Sequence, residues 1–236
     1  MRLWRSATVR WSAAVAIAAG ALVVTPQLRS QESEVDLALV LAIDCSFSVD
    51  ATEFRLQMEG LGRALMTPEV KEAIRRGHRQ KIAIAAMQWS DEGNQMIVLP
   101  WTIIAGDADA EETGLILSRM PRRLAEGGTS ISAALLYAEA MLKEAPAAER
   151  RVIDMSSDGR NNIGPPVPLA RDRVVAGGIT INGLAILNEW PTLDVYFQRN
   201  VAGGQEHFVM PANDYNAYGE AILRKLLREI TGPGVS

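Results

Sequence analysis

The sequence predicts a doubly wound α/β domain: a mostly parallel six-stranded sheet with one antiparallel edge strand and helices on both faces. Three observations predict it. Apolar runs of strand length alternate with helix-length segments across residues 35–231, the order that builds a parallel sheet through crossover helices. The runs Val35–Ile43 and Lys81–Trp89 are apolar almost without a break, as strands buried on both faces are. The connection Asp91-Glu92-Gly93-Asn94 is short enough for a hairpin, which places one antiparallel strand beside five that can run parallel.

The elements follow in order. Val35–Ile43 is the first strand and ends at Asp44. Asp50 stands three residues before Glu53, a capping box that opens a helix reaching about Met66. Pro68, suited to a first helical turn, starts a short helix to Arg76. Lys81–Trp89 is the second strand and Gln95–Thr102 the third. Pro100 confines the third to a sheet edge, because proline cannot donate to a ladder. Helices follow over Asp107–Met120 and, after the loop Gly127-Gly128-Thr129, over Ser130–Glu144. Arg151–Ser156 is the fourth strand. Pro168–Ala176 is a helix stopped by Gly177-Gly178. Ile179–Leu187 is the fifth strand, Leu193–Val201 a helix, His207–Met210 a short sixth strand and Tyr215–Ile230 the last helix. Trp89 and Trp101 fall on strands as core or edge packing, and Met87, Met96 and Met120 read as core residues.

Composition bounds the function. At 236 residues, with 48% hydrophobic and 22% charged residues, the chain has enough apolar sequence for a full core. Arg2, Arg5 and Arg10 precede the uncharged apolar run Ala13–Val24, the pattern of a secretory signal. The run is short for a membrane span, which needs about 20 apolar residues. Residues 1–31 are therefore expected to be a signal peptide, or an uncleaved N-terminal anchor, with its linker. The expected location is the periplasm or the outside of the cell, or a surface to which such an anchor holds the protein. Losing Arg2, Arg5, Arg10 and Arg29 takes the net charge from −4 to −8, which disfavours nucleic acid as a partner. Cys45 is the only cysteine, so an intramolecular disulfide and a CxxC site are excluded. It reads as a buried small residue or, less readily, a reactive thiol. The two histidines, His78 and His207, have no Cys or Glu at ligand spacing and read as structural or solvated.

Three oxygen-rich segments carry the chemistry. Asp44-Cys45-Ser46-Phe47-Ser48 follows the first strand, Gly127-Gly128-Thr129-Ser130 enters a helix, and Ser156-Ser157-Asp158-Gly159 follows the fourth strand. Each alone is equally a helix cap or a turn. Together they can meet, because ligands of open α/β sheets bind outside the carboxyl ends of the strands. Alternate positions of an extended loop face one side, so the hydroxyls of Ser46 and Ser48 can point together. Thr129 can add a third hydroxyl, and Asp44 and Asp158 the charge. Such a set suits a hard divalent cation, Mg²⁺ or else Mn²⁺ or Ca²⁺.

DxSxS after the first strand, a Thr about eighty residues on and Asp-Gly after the fourth strand together resemble the von Willebrand factor type A domain. The resemblance spans residues 35–231 and implies a Rossmann-like sheet bearing a metal-ion-dependent adhesion site (MIDAS). It further implies direct metal contacts from Ser46, Ser48 and Thr129, with Asp44 and Asp158 acting largely through water. An exported single-domain layout resembles a bacterial subfamily of these domains. Phe47 departs from the pattern, since many members have Gly there. Phe47, Asn161 and Asn162 are candidates for the rim that meets a partner, and Asn161–Pro166 reads equally as a rigid surface loop. The expected function is cation-dependent binding of a protein that offers a carboxylate to the metal, without catalysis. A metal-dependent hydrolase or phosphatase is the alternative. It is weakened because a phosphatase of the HAD type needs a second Asp where Ser46 stands, and because no GxSxG elbow is present. A structural domain with a non-functional site is the other alternative.

Overall fold

The computed structural model describes residues 34–232. The expected signal or anchor segment, residues 1–31, lies outside them. Among the described residues no helix is long and apolar enough to cross a membrane.

The sheet has six strands in the order β3-β2-β1-β4-β5-β6. They are β1 (Val35–Asp44), β2 (Ile82–Trp89), β3 (Gln95–Ile104), β4 (Ala148–Ser157), β5 (Thr180–Ile186) and β6 (Val209–Ala212). β3 pairs antiparallel with β2, and every other pairing is parallel. All of β1 and β2 is buried, as their unbroken apolar sequences require. Pro100 and Pro211 both sit on edge strands, where a missing N–H is tolerated.

The alternation of β1 explains the two cores. Leu37, Leu39, Leu41 and Ile43 face one layer, which holds α1 (Ala51–Leu65), α2 (Pro68–Arg75), α3 (Asp107–Ser118) and α7 (Tyr218–Thr231). Ala38, Val40 and Ala42 face the other, built from α4 (Ile131–Lys143), α5 (Val167–Ala176) and α6 (Leu193–Tyr196). The Asp50–Glu53 capping box is formed in full: Asp50 accepts from the Thr52 and Glu53 amides, and Glu53 accepts from the Asp50 amide. Gly62 of α1 and Gly114 of α3 let those helices touch through backbone; a Cβ on Gly62 would stand 2.3 Å from the Gly114 carbonyl oxygen.

The structure departs from the sequence reading in a few places. β4 starts at Ala148, ahead of the expected Arg151; its exposed charged residues pair outward, His78 Nδ1 lying 2.9 Å from Glu149. The helix expected over Leu193–Val201 is one α-turn that widens into a π-turn at Phe197–Val201. α7 begins at Tyr218 rather than Tyr215, after a turn in which Asp214 accepts from the Ala217 amide. Met87 and Met120 are buried, but Met96 is 40% exposed. Its strand is the sheet edge and covers less of either layer. Trp89 is fully buried, and half-buried Trp101 donates its Nε1–H to the Met141 carbonyl.

Candidate functional site

β1 and β4 are neighbours from which the chain winds outward in opposite directions. At such a switch point the connecting loops leave on opposite faces and open a crevice at the carboxyl ends of the strands. Ile43 is in register with Ser156, so the loops that begin at Asp44 and at Asp158 leave the sheet side by side. The loop before α4 closes a third side. The Phe47 amide donates to the Gly127 carbonyl at 2.9 Å. The Thr129 amide donates to Asn162 Oδ1 at 2.8 Å, and the Asn162 amide donates back to the Thr129 carbonyl at 3.0 Å. Gly159 lies so close that a Cβ on it would be 3.4 Å from Thr129 Oγ1.

All five candidate metal residues thus come together. Asp44 Oδ1 accepts from the Ser46 amide at 2.7 Å, and its Oδ2 accepts from the Ser157 hydroxyl. The Ser48 hydroxyl donates to Asp158 Oδ1 at 2.6 Å, and Ser46 Oγ lies 3.2 Å from Ser48 Oγ. Asp44, Ser46 and Asp158 are fully buried and Thr129 nearly so.

The electrostatics are unfavourable without a counter-charge. Burial raises the Asp44 carboxyl from its ordinary 3.8 to about 7, and the charge of Asp158 adds to the rise. Burial also raises Asp158, while the Ser48 and Tyr215 hydroxyls act against the rise. Among the described residues Asp158 Oδ2 has no hydrogen-bond partner, because the nearby Tyr215 hydroxyl, itself buried, stands outside bonding geometry. Among the described residues no Lys or Arg forms an ion pair with either carboxylate. Each buried ion costs several kcal/mol unless paired. Two adjacent carboxylates, an orphaned buried oxygen and three nearby hydroxyls therefore fit a hard divalent cation, which takes oxygen ligands and tolerates bound water. Among the described residues no three or more His, Cys, Asp or Glu side chains gather where they could hold a metal ion, so the hydroxyls of Ser46, Ser48 and Thr129 must complete any shell built on Asp44 and Asp158.

Of the three rim candidates, Phe47 is 77% exposed at the mouth. Asn161 and Asn162 turn their side-chain oxygens inward. Asn161 Oδ1 accepts from the Ser132 amide, and its Nδ2 donates to the Ile163 carbonyl. Asn162 holds Thr129 as described. These two residues therefore brace the loops. Cys45 is buried, and burial followed by the charge of Asp44 raises its thiol to about 12, so it stays protonated and acts as packing. Neither histidine touches the site: His78 faces Glu149, and His207 Nδ1 lies 2.9 Å from the Gly204 carbonyl.

Three contributors escaped the sequence reading. Ser157, inside the oxygen-rich Ser156–Gly159 segment, orients Asp44 through its hydroxyl. Tyr215 buries its hydroxyl near Asp158 and Asp44. Arg122 donates to the carbonyls of Val49 at 2.7 Å, Cys45 at 2.6 Å and Ser46 at 3.2 Å, fixing the whole first loop from behind. No local signal marks Arg122, because its partners are backbone atoms more than seventy positions away. Replacing Arg122 with Met leaves those carbonyls without their charged donor. The expected result is a loss of about 2–3 kcal/mol of stability and a Mg²⁺ affinity reduced about tenfold, read by urea unfolding and calorimetry. Unchanged metal affinity would show that the loop keeps its shape without the arginine.

A hollow of about 1140 Å³ opens at the opposite end of the sheet, lined by Glu149, Arg150, Arg151, Asn182, Phe208 and Arg228 among others. Two of its arginines are committed to the fold: Arg150 donates to the Glu229 and Ile230 carbonyls, and Arg151 to that of Gly177.

The strand order, the single antiparallel edge and the helices on both faces define a von Willebrand factor type A-like domain. The chain belongs to the family described as DUF1194, protein of unknown function, whose model matches residues 34–234. No curated protein matches it. Among solved structures it is similar to proximal thread matrix protein 1 from the mussel byssus, in a form with a zinc-occupied MIDAS motif. That match has 14% identity and a TM-score of 0.65, covering 85% of this chain and 49% of that one. It is also similar to a von Willebrand factor type A protein from Catenulispora acidiphila, with 18% identity and a TM-score of 0.57, covering 83% and 43%. BatB from Bacteroides thetaiotaomicron matches with 16% identity and a TM-score of 0.56, covering 83% and 100%. The chain spans about half the length of the mussel protein.

Proposed function

We propose that this chain is a divalent-cation-dependent protein-binding module, exported from the cell and not an enzyme. The observation that carries the reading is the pair of buried carboxylates, Asp44 and Asp158, which share a hydroxyl-lined crevice and to which no Lys or Arg among the described residues is paired. Ser46, Ser48 and Thr129 would hold the cation, Mg²⁺ or else Mn²⁺ or Ca²⁺, with Asp44 and Asp158 supplying the charge. The bound cation would offer an electrophilic position to a carboxylate of the partner. Asp44 is held by the Ser46 amide and the Ser157 hydroxyl, so its charge is oriented before any cation arrives. The fold shared with the zinc-bearing mussel protein and with the pilus adhesin SpaC of Lactobacillus rhamnosus GG supports the reading. Export rests on the basic and apolar pattern of the first residues.

Titrating Mg²⁺ and Mn²⁺ into the wild type and Asp44→Ala tests the site. The expected result is saturable binding by the wild type and none by the variant. Equal affinity in both, or none in either, would overturn the metal claim. Metal-dependent turnover of a generic phosphoester, lost in Asp44→Ala, would move the site to the enzymes.

A further inference from the structure

We propose that the partner engages a second point on the same rim, Arg160, so that the segment it presents is acidic at two positions. The inference rests on the metal-dependent reading above. Arg160 stands two positions after Asp158 in the chain, so their Cα atoms lie within about 7 Å. Its guanidinium lies over two rings, 4.8 Å from the centroid of Trp190 and 5.5 Å from that of Tyr196. Nη2 donates to Thr192 Oγ1 at 3.0 Å. The Tyr196 hydroxyl in turn accepts from the Asn161 amide, which ties this stack to the loop that braces Thr129.

Two features point to a ligand. Arg160 forms no ion pair among the described residues, and unlike Arg122, Arg150 and Arg151, which also lack a carboxylate partner, it is not spent on backbone carbonyls. Its Nε is also buried, with no hydrogen-bond partner among the described residues. Among the described residues Arg160 thus stands at the rim without a carboxylate partner, with two aromatic rings against its guanidinium. A guanidinium stacked in this way loses little entropy on binding, and its fork matches a carboxylate.

The neighbours narrow the ligand further. The loop after β5 borders the same rim: Asn188 donates to Glu53 at 3.2 Å, and the charge of Glu189 bears on Asp158. Glu53 and Glu189 disfavour an acidic segment over their own part of the rim, which leaves the cation and Arg160 as its points of attachment. Exposed Phe47 and half-exposed Trp190 offer apolar contact alongside.

The test uses fluorescein-labelled Gly/Ser peptides carrying one Asp, or two Asp separated by one to three residues. Each is titrated with the purified protein in Mg²⁺ or in EDTA. The best-spaced two-Asp peptide is expected to bind the wild type about fivefold tighter than the one-Asp peptide. In Arg160→Gln that ratio falls to about one, and Arg160→Lys, which keeps the charge without the fork, is intermediate. Thermal melts check that both variants are folded. Metal-dependent binding with equal affinity for one and two acids overturns the role of Arg160 and leaves the metal reading standing. A ratio that survives Arg160→Gln overturns it as well. Binding that ignores EDTA, or no binding of either peptide, overturns the metal reading and this inference with it.

Discussion

In EDTA the wild-type protein is expected to lose stability as pH rises from about 4 to about 7, by about 4 kcal/mol relative to Asp44→Asn. The sign follows from Asp44, whose carboxyl sits at about 7 in the fold against an ordinary 3.8. Between those values the folded state binds more protons than the unfolded one, so stability falls with rising pH. Above about 7 both states are ionised and the full penalty remains. Asp158, raised by burial, acts in the same direction. The Asn variant carries no charge to bury. Its oxygen can still accept from the Ser46 amide, and its NH₂ can donate to the Ser157 hydroxyl, so the loop keeps its bonds. Saturating Mg²⁺ is expected to remove the wild-type loss near neutrality and to leave Asp44→Asn unchanged. Urea unfolding of both proteins across this range, with and without Mg²⁺, measures the difference. A wild type that gains stability over the variant as pH rises in EDTA would show that Asp44 is paired by the protein itself.

Lys225→Met is expected to destabilise the protein by about 3–5 kcal/mol, with the damage far from the metal site. Lys225 on α7 is fully buried, and its Nζ lies 2.7 Å from both Asp154 Oδ2 and Glu229 Oε1. Asn182 donates to the same Glu229 oxygen at 2.9 Å and accepts from the Phe208 amide. This network joins α7 to β4 and β5 inside the core. Methionine fills the space of the lysine stem but leaves two carboxyls buried without a cation. Burial, with the charge of Asp154 added to it, already raises Glu229 above the ordinary carboxylate range, and Lys225, with the Asn182 hydrogen bond, opposes that rise. The triple variant Lys225→Met, Asp154→Asn, Glu229→Gln is expected to recover much of the loss, because breaking a buried pair costs more than neutralising all of it. Chemical denaturation near neutral pH reads both proteins. A single variant within about 0.5 kcal/mol of the wild type would mean that water reaches the cluster.

Much of the site was legible because its parts are local. Asp44, Ser46 and Ser48 fall within one loop, and Asp158 follows a strand whose apolar run is plain. The order of strands and helices then says that such loops share one edge. Arg122 was not legible, since its role depends on carbonyls of a distant loop. Lys225 was not legible either: on an isolated amphipathic helix a lysine reads as solvated, and only the approach of Asp154 from the sheet makes it an interior cation. Asn161 and Asn162 read as exposed loop residues, yet their side-chain oxygens are spent on Ser132 and Thr129.

The sequence by itself determined the elements, their parallel arrangement and the residue types that can hold a hard cation. Apolar periodicity, capping and turn chemistry act over a few residues and need no partner. Only the tertiary structure decided that Ile43 stands beside Ser156, that Asp44 and Asp158 are buried together, and that Arg160 lies over Trp190 and Tyr196. Those facts depend on sheet register and on which loops the switch point brings together. Long-range pairing sets both, and the charge that the site lacks follows from that burial.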